Sequence, residues 1–520
     1  MEIDKREKQG KPPKRYPVRS QPGIEVIDEV MKTVNDRIDH LVHREKRRVG
    51  GNDMLLIARA CWVPWTKAYR NVDALNKVVR SIDQTYMEHA EDSTILEKEW
   101  HGYGVEGEAV SLLVKPLERY LDHNIEGTNI QRREAWTQML VASRDWHLTH
   151  RRSYTNQAMT VDFNIYRCNR GIAALNPDAA WPEKKAVRIL YEAIGIEPWS
   201  GSHTEGIGRP DWPLGKKFMQ TTDQGLTREL GYVGGYGEIT VPICRDIYAA
   251  TKPTYDGEGD ERIKEQLLKM AKARAAFRYP AVDEEGFRAM RIEHTIGWRD
   301  WHYPGPVTYG QTVCDDGGPI DTAAETMDPD LIGYAQQMMD DNQYYVAVKK
   351  KLLERRGGNK FKALLRVPGN FEKLKQASPE KKRLPMADGQ PDFVFADTGV
   401  GAVAFKHGDN RLFASLYWRS RYGINNLARV HFMTPTEHRD STIQINTSFN
   451  DSGHIYTVPN RTNSAFTDHH EDHYKKAGMD FGMTGRTYPI AVVPRYMKDY
   501  RPGKENFFAG KGNYLSLIHI

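Results

Sequence analysis

An α-helical domain followed by a β domain is the fold class this sequence predicts, and three observations predict it. Apolar residues recur at helical spacing through the first two-thirds of the chain. Composition shifts after Tyr345, where a basic run and then a stretch rich in Lys and Pro interrupt the apolar stripes. From Phe393 onward, short β-like runs separated by turn residues take over. Helices and strands are thus segregated along the chain, which argues for separate domains and against an alternating α/β sheet. A chain of 520 residues is long for a single core, so two domains are expected. The expected boundaries are a polar tail over 1–23, a helical domain over 24–345, a linker over 346–390 and a β domain over 391–520.

The helical elements follow in order. Ala109, Leu112, Leu113 and Leu117 form one stripe, with Pro116 expected to kink or end it. Trp136, Met139, Leu140, Ser143 and His147 form a second, apolar at its start and more polar at its end. Val187, Leu190, Tyr191 and Ile194 form a third, opened near Asp178 and Pro182 and closed by Gly195. Ile263, Leu267, Met270, Ala271 and Ala275 form a fourth, and residues 325–345 are expected to be one further helix. Between these lie Gly-, Trp- and His-rich loops at 199–208 and 297–310, longer than plain connectors and suited to carry a site. The strands expected are 400–405, 411–418, 427–433, 441–447 and 454–458, the first two joined by a hairpin turn at 406–410.

Composition bounds the function. Apolar residues make up 39% and charged residues 28%, as in a water-soluble globular protein. The net charge of +5 is compatible with a polyanionic partner, but basic and acidic residues interleave, which argues against nucleic acid. Cys61, Cys168, Cys244 and Cys314 are widely spaced without a CxxC pair, so buried free thiols are expected instead of a zinc knuckle or a disulfide framework. No apolar run is long enough to span a bilayer. Residues 1–19 are polar and basic and lack the apolar core of a signal peptide, so the chain as written is expected to be cytoplasmic, or periplasmic or secreted if its start is incomplete. Its last residues resemble translated adapter sequence, and the β domain is expected to be incomplete.

The stretch with the most specific chemistry is Leu226-Thr227-Arg228-Glu229-Leu230-Gly231-Tyr232-Val233-Gly234-Gly235-Tyr236-Gly237-Glu238. Two tyrosines four apart among glycines let the backbone turn sharply and approach a ligand, or equally open a helix with a packed tyrosine. The segment resembles the Tyr-x-Gly-x-Tyr-Gly motif of hyaluronate and chondroitin AC lyases, and the domain order is also that of heparinase II/III-like and alginate lyases. The resemblance implies an incomplete (α/α) barrel or toroid followed by an antiparallel β-sandwich. It implies β-elimination on a uronic-acid-containing polysaccharide, with Tyr236 as acid and base and without metal or cofactor. The chondroitin-lyase pattern carries a histidine nine residues before the second tyrosine, where this chain has Thr227, so a separate family on the same scaffold is implied.

β-Elimination removes a weakly acidic proton next to a carboxylate, so that carboxylate must be neutralised by Asn, Arg or a cationic His. Asn156, beside Arg151 and Arg152, is the expected neutraliser, although Thr155 or Asn156 equally suits a helix cap. His203 is the nearest upstream histidine, in a Gly/Ser-rich loop, and His294 and His302 compete with it. By position downstream of the tyrosine, Arg288 and Arg291 resemble the arginine that hyaluronate and chondroitin lyases place near the substrate, which implies a bidentate grip on its carboxylate, although a charged helical face is an alternative. Tyr232 and Trp199 complete the expected substrate-binding set with His302. The cluster Asp468-His469-His470-Glu471-Asp472-His473 has metal-ligand residue types without HExxH spacing and reads as a solvated loop. Two other classes stay open: a glycoside hydrolase using two of Asp145, Asp162, Glu205, Glu229 and Glu238, and a non-catalytic carbohydrate-binding protein.

Overall fold

The structure is a computed structural model and describes residues 23–44, 49–98, 102–152, 155–201, 219–227, 232, 234, 236–253, 257–282, 288–293, 296, 319–341, 343–353, 358–415, 429–434, 441–444, 457–458 and 488–489. Helices come first and a sheet follows. The helices are α1 (Gly23–Asp39), α2 (Gly51–Ala60), α3 (Val72–Glu91), α4 (Ile95–Lys98), α5 (Gly104–Leu121), α6 (Arg132–Thr149) and α7 (Thr155–Leu175). They continue with α8 (Glu183–Ala193), α9 (Thr240–Thr251), α10 (Glu261–Ala275), α11 (Pro319–Thr326), α12 (Pro329–Asp340), α13 (Gln343–Leu353) and α14 (Gly358–Gln376).

Six of these helices touch in a closed cycle. α2 packs on α5, α5 on α7, α7 on α9, α9 on α11 and α11 on α14, and α14 returns to α2. The others lie against this cycle: α3 on α2 and α5, α6 on α5 and α7, α8 on α7, α10 on α9 and α11, and α1 on α13 and α14. Along the chain an outer helix therefore precedes each member of the cycle. The expected stripes are the contact faces: Trp136, Met139, Leu140, Ser143 and His147 are buried, as are Ile263, Leu267, Met270, Ala271 and Ala275. Helices α5 and α7 meet through glycines. A Cβ on Gly107 would lie 2.5 Å from the Arg167 carbonyl oxygen, and one on Gly171 would lie 2.7 Å from Gly107 Cα.

Three segments depart from the expectation. α5 runs through Pro116 to Leu121, with Leu117 and Leu121 buried, so packing offsets the hydrogen bond that proline removes. Residues 325–345 are three helical pieces, because Met327 adopts φ 53° and Asp328 then caps α12 by accepting from Leu331 N. Within the expected linker, residues 346–353 belong to α13 and residues 358–376 to α14, which bury Val348, Leu364, Phe371 and Leu374 against the rest of the helical unit.

A hairpin of β1 (Arg278–Val282) and β2 (Arg288–Ile292) is set between α10 and α11, with Tyr279 opposite Arg291. The C-terminal sheet is an antiparallel meander of β3 (Phe393–Asp397), β4 (Ala402–His407), β5 (Asn410–Ser415), β6 (Arg429–Met433) and β7 (Ser441–Gln444). The β4–β5 turn is tighter than expected: His407 pairs with Asn410, and Gly408 takes φ 56°. β8 (Thr457–Val458) and β9 (Tyr488–Pro489) form a separate two-stranded pair. The meander is joined to the helical unit by a shared core of Tyr232, Phe277 and Tyr279 with Ala402, Phe413 and Met433. Two buried polar contacts cross the same boundary: Thr222 Oγ1 donates to Asp397 Oδ2 at 2.5 Å, and His431 on β6 pairs closely with Glu293.

Candidate functional site

The two longest connections in the helical unit, 194–235 and 276–318, lead into α9 and α11. Hydrogen bonds gather their described parts at the starts of α7 and α9. Thr155 Oγ1, on the first residue of α7, donates to Gln220 Oε1 at 3.1 Å. The turn 219–227 is held in place from below by Gln266 of α10, whose amide donates to Thr221 Oγ1 at 2.8 Å and to Ile194 O at 3.0 Å. Thr227, where the resembling lyases carry histidine, is buried in an isolated bridge to Thr221.

The tyrosine segment that follows is clamped by two arginines. Arg274, near the end of α10, lies over the Tyr232 ring at 5.3 Å and donates to Gly234 O at 3.2 Å. Its guanidinium fills the space beside Gly237, where a Cβ would fall 1.5 Å from Nη2. Arg278, at the start of β1, donates to both carboxylate oxygens of Glu238 at 2.6 and 3.3 Å, and both side chains are buried. Thr240 Oγ1 closes the turn by donating to Gly237 O at 2.8 Å. Tyr236 is the first residue of the 3-10 turn Tyr236–Ile239 that opens α9. The backbone at residue 236 is thus held between two arginine-anchored points.

Asn156 is the second residue of α7 and is buried. Just before it, Arg151 is forked onto Asp162 at 2.8 and 2.7 Å and also donates to Glu192 Oε2 at 2.9 Å. Burial works against the Arg151 charge, but Asp162 and Glu192 outweigh it and hold the guanidinium above its ordinary value. At Asp162 burial prevails over Arg151, and its carboxyl is pushed up. Ser200 donates to Glu192 Oε2 at 2.6 Å, and the Trp199 indole lies 5.3 Å from the Arg151 guanidinium. This cluster pins the first residues of the 194–235 connection beside the entrance to α7.

The other expected residues divide. Trp199 and Tyr232 are both buried, Trp199 against Arg151 and Tyr232 on Phe277 with ring centroids 4.4 Å apart. The Tyr232 ring is also covered by Arg274. Arg288 lies on β2, a strand and not the helical face considered above, and is ion-paired with Asp341 at 2.5 Å. Arg291 is half-buried on the same strand. His203, His294, His302, Arg228 and Glu229 lie outside the described residues, as does the 468–473 cluster. Sequence reasoning missed Arg274 and Arg278, whose only signal is their i, i+4 spacing at the end of an apolar stripe. Burial raises the thiols of Cys61 and Cys168 to about 12, which makes them poor nucleophiles.

Among the described residues no three His, Cys, Asp or Glu side chains are grouped to hold a metal ion, and no helix is long and apolar enough to cross a membrane. No protein-family model matches the chain, and no curated protein sequence matches it either.

Proposed function

We propose that the chain is a polysaccharide lyase that cleaves an acidic, uronic-acid-containing polysaccharide by β-elimination on an (α/α) toroid, with the antiparallel meander as part of a β-sandwich. The closed cycle of helices, each entered from an outer partner, supports the toroid. The observation that carries the chemistry is the bond from Thr155 to Gln220, which ties the start of α7, with Asn156, to the connection that carries the tyrosine segment. In this reading Asn156 opposes the charge of the uronate carboxylate. Tyr236 takes the C5 proton and protonates the O4 leaving group, and arginine or histidine from the two long connections completes the carboxylate grip. Arg274 and Arg278 act as positioning residues for the turn that presents Tyr236.

The hydrolase alternative is less well supported. It needs two carboxylates facing one bond, and two of its candidates, Asp162 and Glu238, are each forked by a buried arginine. The deciding assay screens uronate polysaccharides for the ultraviolet absorbance of a new C4–C5 double bond. Tyr236→Phe is expected to lower turnover by ~10²–10⁴-fold, toward the upper end for a group acting as both base and acid. Asn156→Ala is expected to lower turnover as well. Near-normal activity in folded Tyr236→Phe would move the base to another residue; reducing ends without the absorbance would identify a hydrolase.

A further inference from the structure

The helices of the closed cycle direct charged side chains toward one another. Arg59 of α2 and Arg167 of α7 both grip Glu108 of α5, at 2.6 and 3.1 Å. Arg245 of α9 bridges its neighbour Asp246 at 2.6 Å and Asp321 of α11 at 2.7 Å. Arg366 of α14 approaches the same two carboxylates at 3.9 and 3.3 Å. Lys362, one turn earlier on α14, donates to the neutral Asn52 Oδ1 at 2.8 Å and is paired with no carboxylate among the described residues. Among the described residues, Arg59, Arg167 and Lys362 thus share one paired carboxylate, Glu108.

Two buried donors on α7 have no acceptor among the described residues. Asn164 Nδ2 is buried without a hydrogen-bond partner, its residue only 1% exposed, while its oxygen accepts from Arg167 Nη2 at 2.7 Å. Arg167 Nε is likewise buried and unpartnered. Buried donors left unsatisfied are costly and normally meet an acceptor. The region still reaches solvent: the Asp246 side chain is 32% exposed although Arg245, Arg366, Arg59 and Lys362 all act on its charge.

We propose that this surplus of positive charge and idle donors is a binding site for a small oxyanion, a carboxylate, sulfate or phosphate group, held by Arg59, Arg167, Asn164 and Lys362. An oxyanion would give Asn164 Nδ2 and Arg167 Nε their acceptor and would neutralise Lys362. The site is independent of the lyase reading, since it draws on none of Tyr236, Asn156 or their anchors. Burial, then the charges of Arg59 and Arg167, lower the Lys362 amine to about 8, against the opposing pull of Asp246 and Glu108. Its charge, and with it the anion's hold, is therefore lost as pH rises through that value.

The test is calorimetric titration of the full chain with sodium sulfate at constant ionic strength, at pH 7 and pH 9, where sulfate itself does not titrate. Saturable binding is expected, weaker by about tenfold at pH 9 because the protonated fraction of an amine near 8 falls by about that factor. Lys362→Gln is expected to weaken binding about tenfold at pH 7 and to abolish the difference between the two pH values, by the same loss of charge. Asn164→Ala is expected to weaken it several-fold. Sodium glucuronate is the second probe: binding that competes with sulfate and responds to Lys362→Gln points to a carboxylate carried by a sugar, whereas sulfate binding alone points to a free inorganic anion. No saturable heat with either probe, or binding untouched by both substitutions, overturns the proposal. If Lys362→Gln does not fold, equal wild-type affinity at pH 7 and 9 overturns it instead.

Discussion

Gly237 is the residue on which the candidate site is most sharply constrained. Its missing side chain is the space that the Arg274 guanidinium occupies, and that guanidinium holds Gly234 O and covers the Tyr232 ring. Gly237→Ala must therefore expel Arg274 from both contacts. It is expected to cost ~1–3 kcal/mol in urea unfolding, the usual range for overpacking, and to lower turnover in the proposed lyase reaction through misplacement of residue 236. Adding Arg274→Ala should recover part of the stability and none of the turnover; recovery of both would show that the clamp does not position the turn. The tyrosine segment was legible in the sequence because glycines mark sharp backbone. Its arginines were not, since Arg274 on the last turn of α10 and Arg278 just past it read as solvated cations until the segment before α9 is placed beside them. For Trp199 and Tyr232 the sequence showed an aromatic ring but not which surface would cover it.

At the scale of elements, α5 and α7 pack more closely than any side chain allows. The Cβ of Gly107→Ala would press on the Arg167 carbonyl, which is backbone and has no rotamer to change. Its cost is expected at or above the upper end of the ~1–3 kcal/mol overpacking range. Gly369→Ala, on α14 with open space around it, is the control and should be neutral or stabilising by up to ~1 kcal/mol. Equal urea midpoints for the two variants would mean that the helices can slide apart without loss. The apolar stripes of α6, α8 and α10 were readable because their period survives in one sequence. α14 was hidden by its lysines and Pro368, although Leu364, Phe371 and Leu374 carry the stripe. The β1–β2 hairpin was hidden because Arg288 and Arg291, three apart, also fit a helix.

At the scale of the molecule, the α-then-β order could be read from composition, but the dependence of one part on the other could not. Tyr232, Phe277 and Tyr279 of the helical unit are buried by Ala402, Phe413 and Met433 of the sheet, and the Glu293–His431 pair is buried across the same seam. Cutting the chain after Gln390 would open those aromatic rings to water and remove His431 from Glu293. The shortened protein is expected to bind a hydrophobic dye and to unfold at lower urea than the full chain. An unchanged midpoint without dye binding would show that the sheet is a passive appendage.

The closure of the helical cycle has a consequence for synthesis. α1 buries Val26, Val30, Val34 and Ile38, and the helices packed on it are α13 and α14. Lys362 reaches Asn52 across 310 residues of chain. At ~5–20 residues per second, a ribosome needs roughly 15–60 s to make the partner that covers the first helix. During that interval an apolar stripe waits uncovered outside the exit tunnel, a natural target for a holding chaperone.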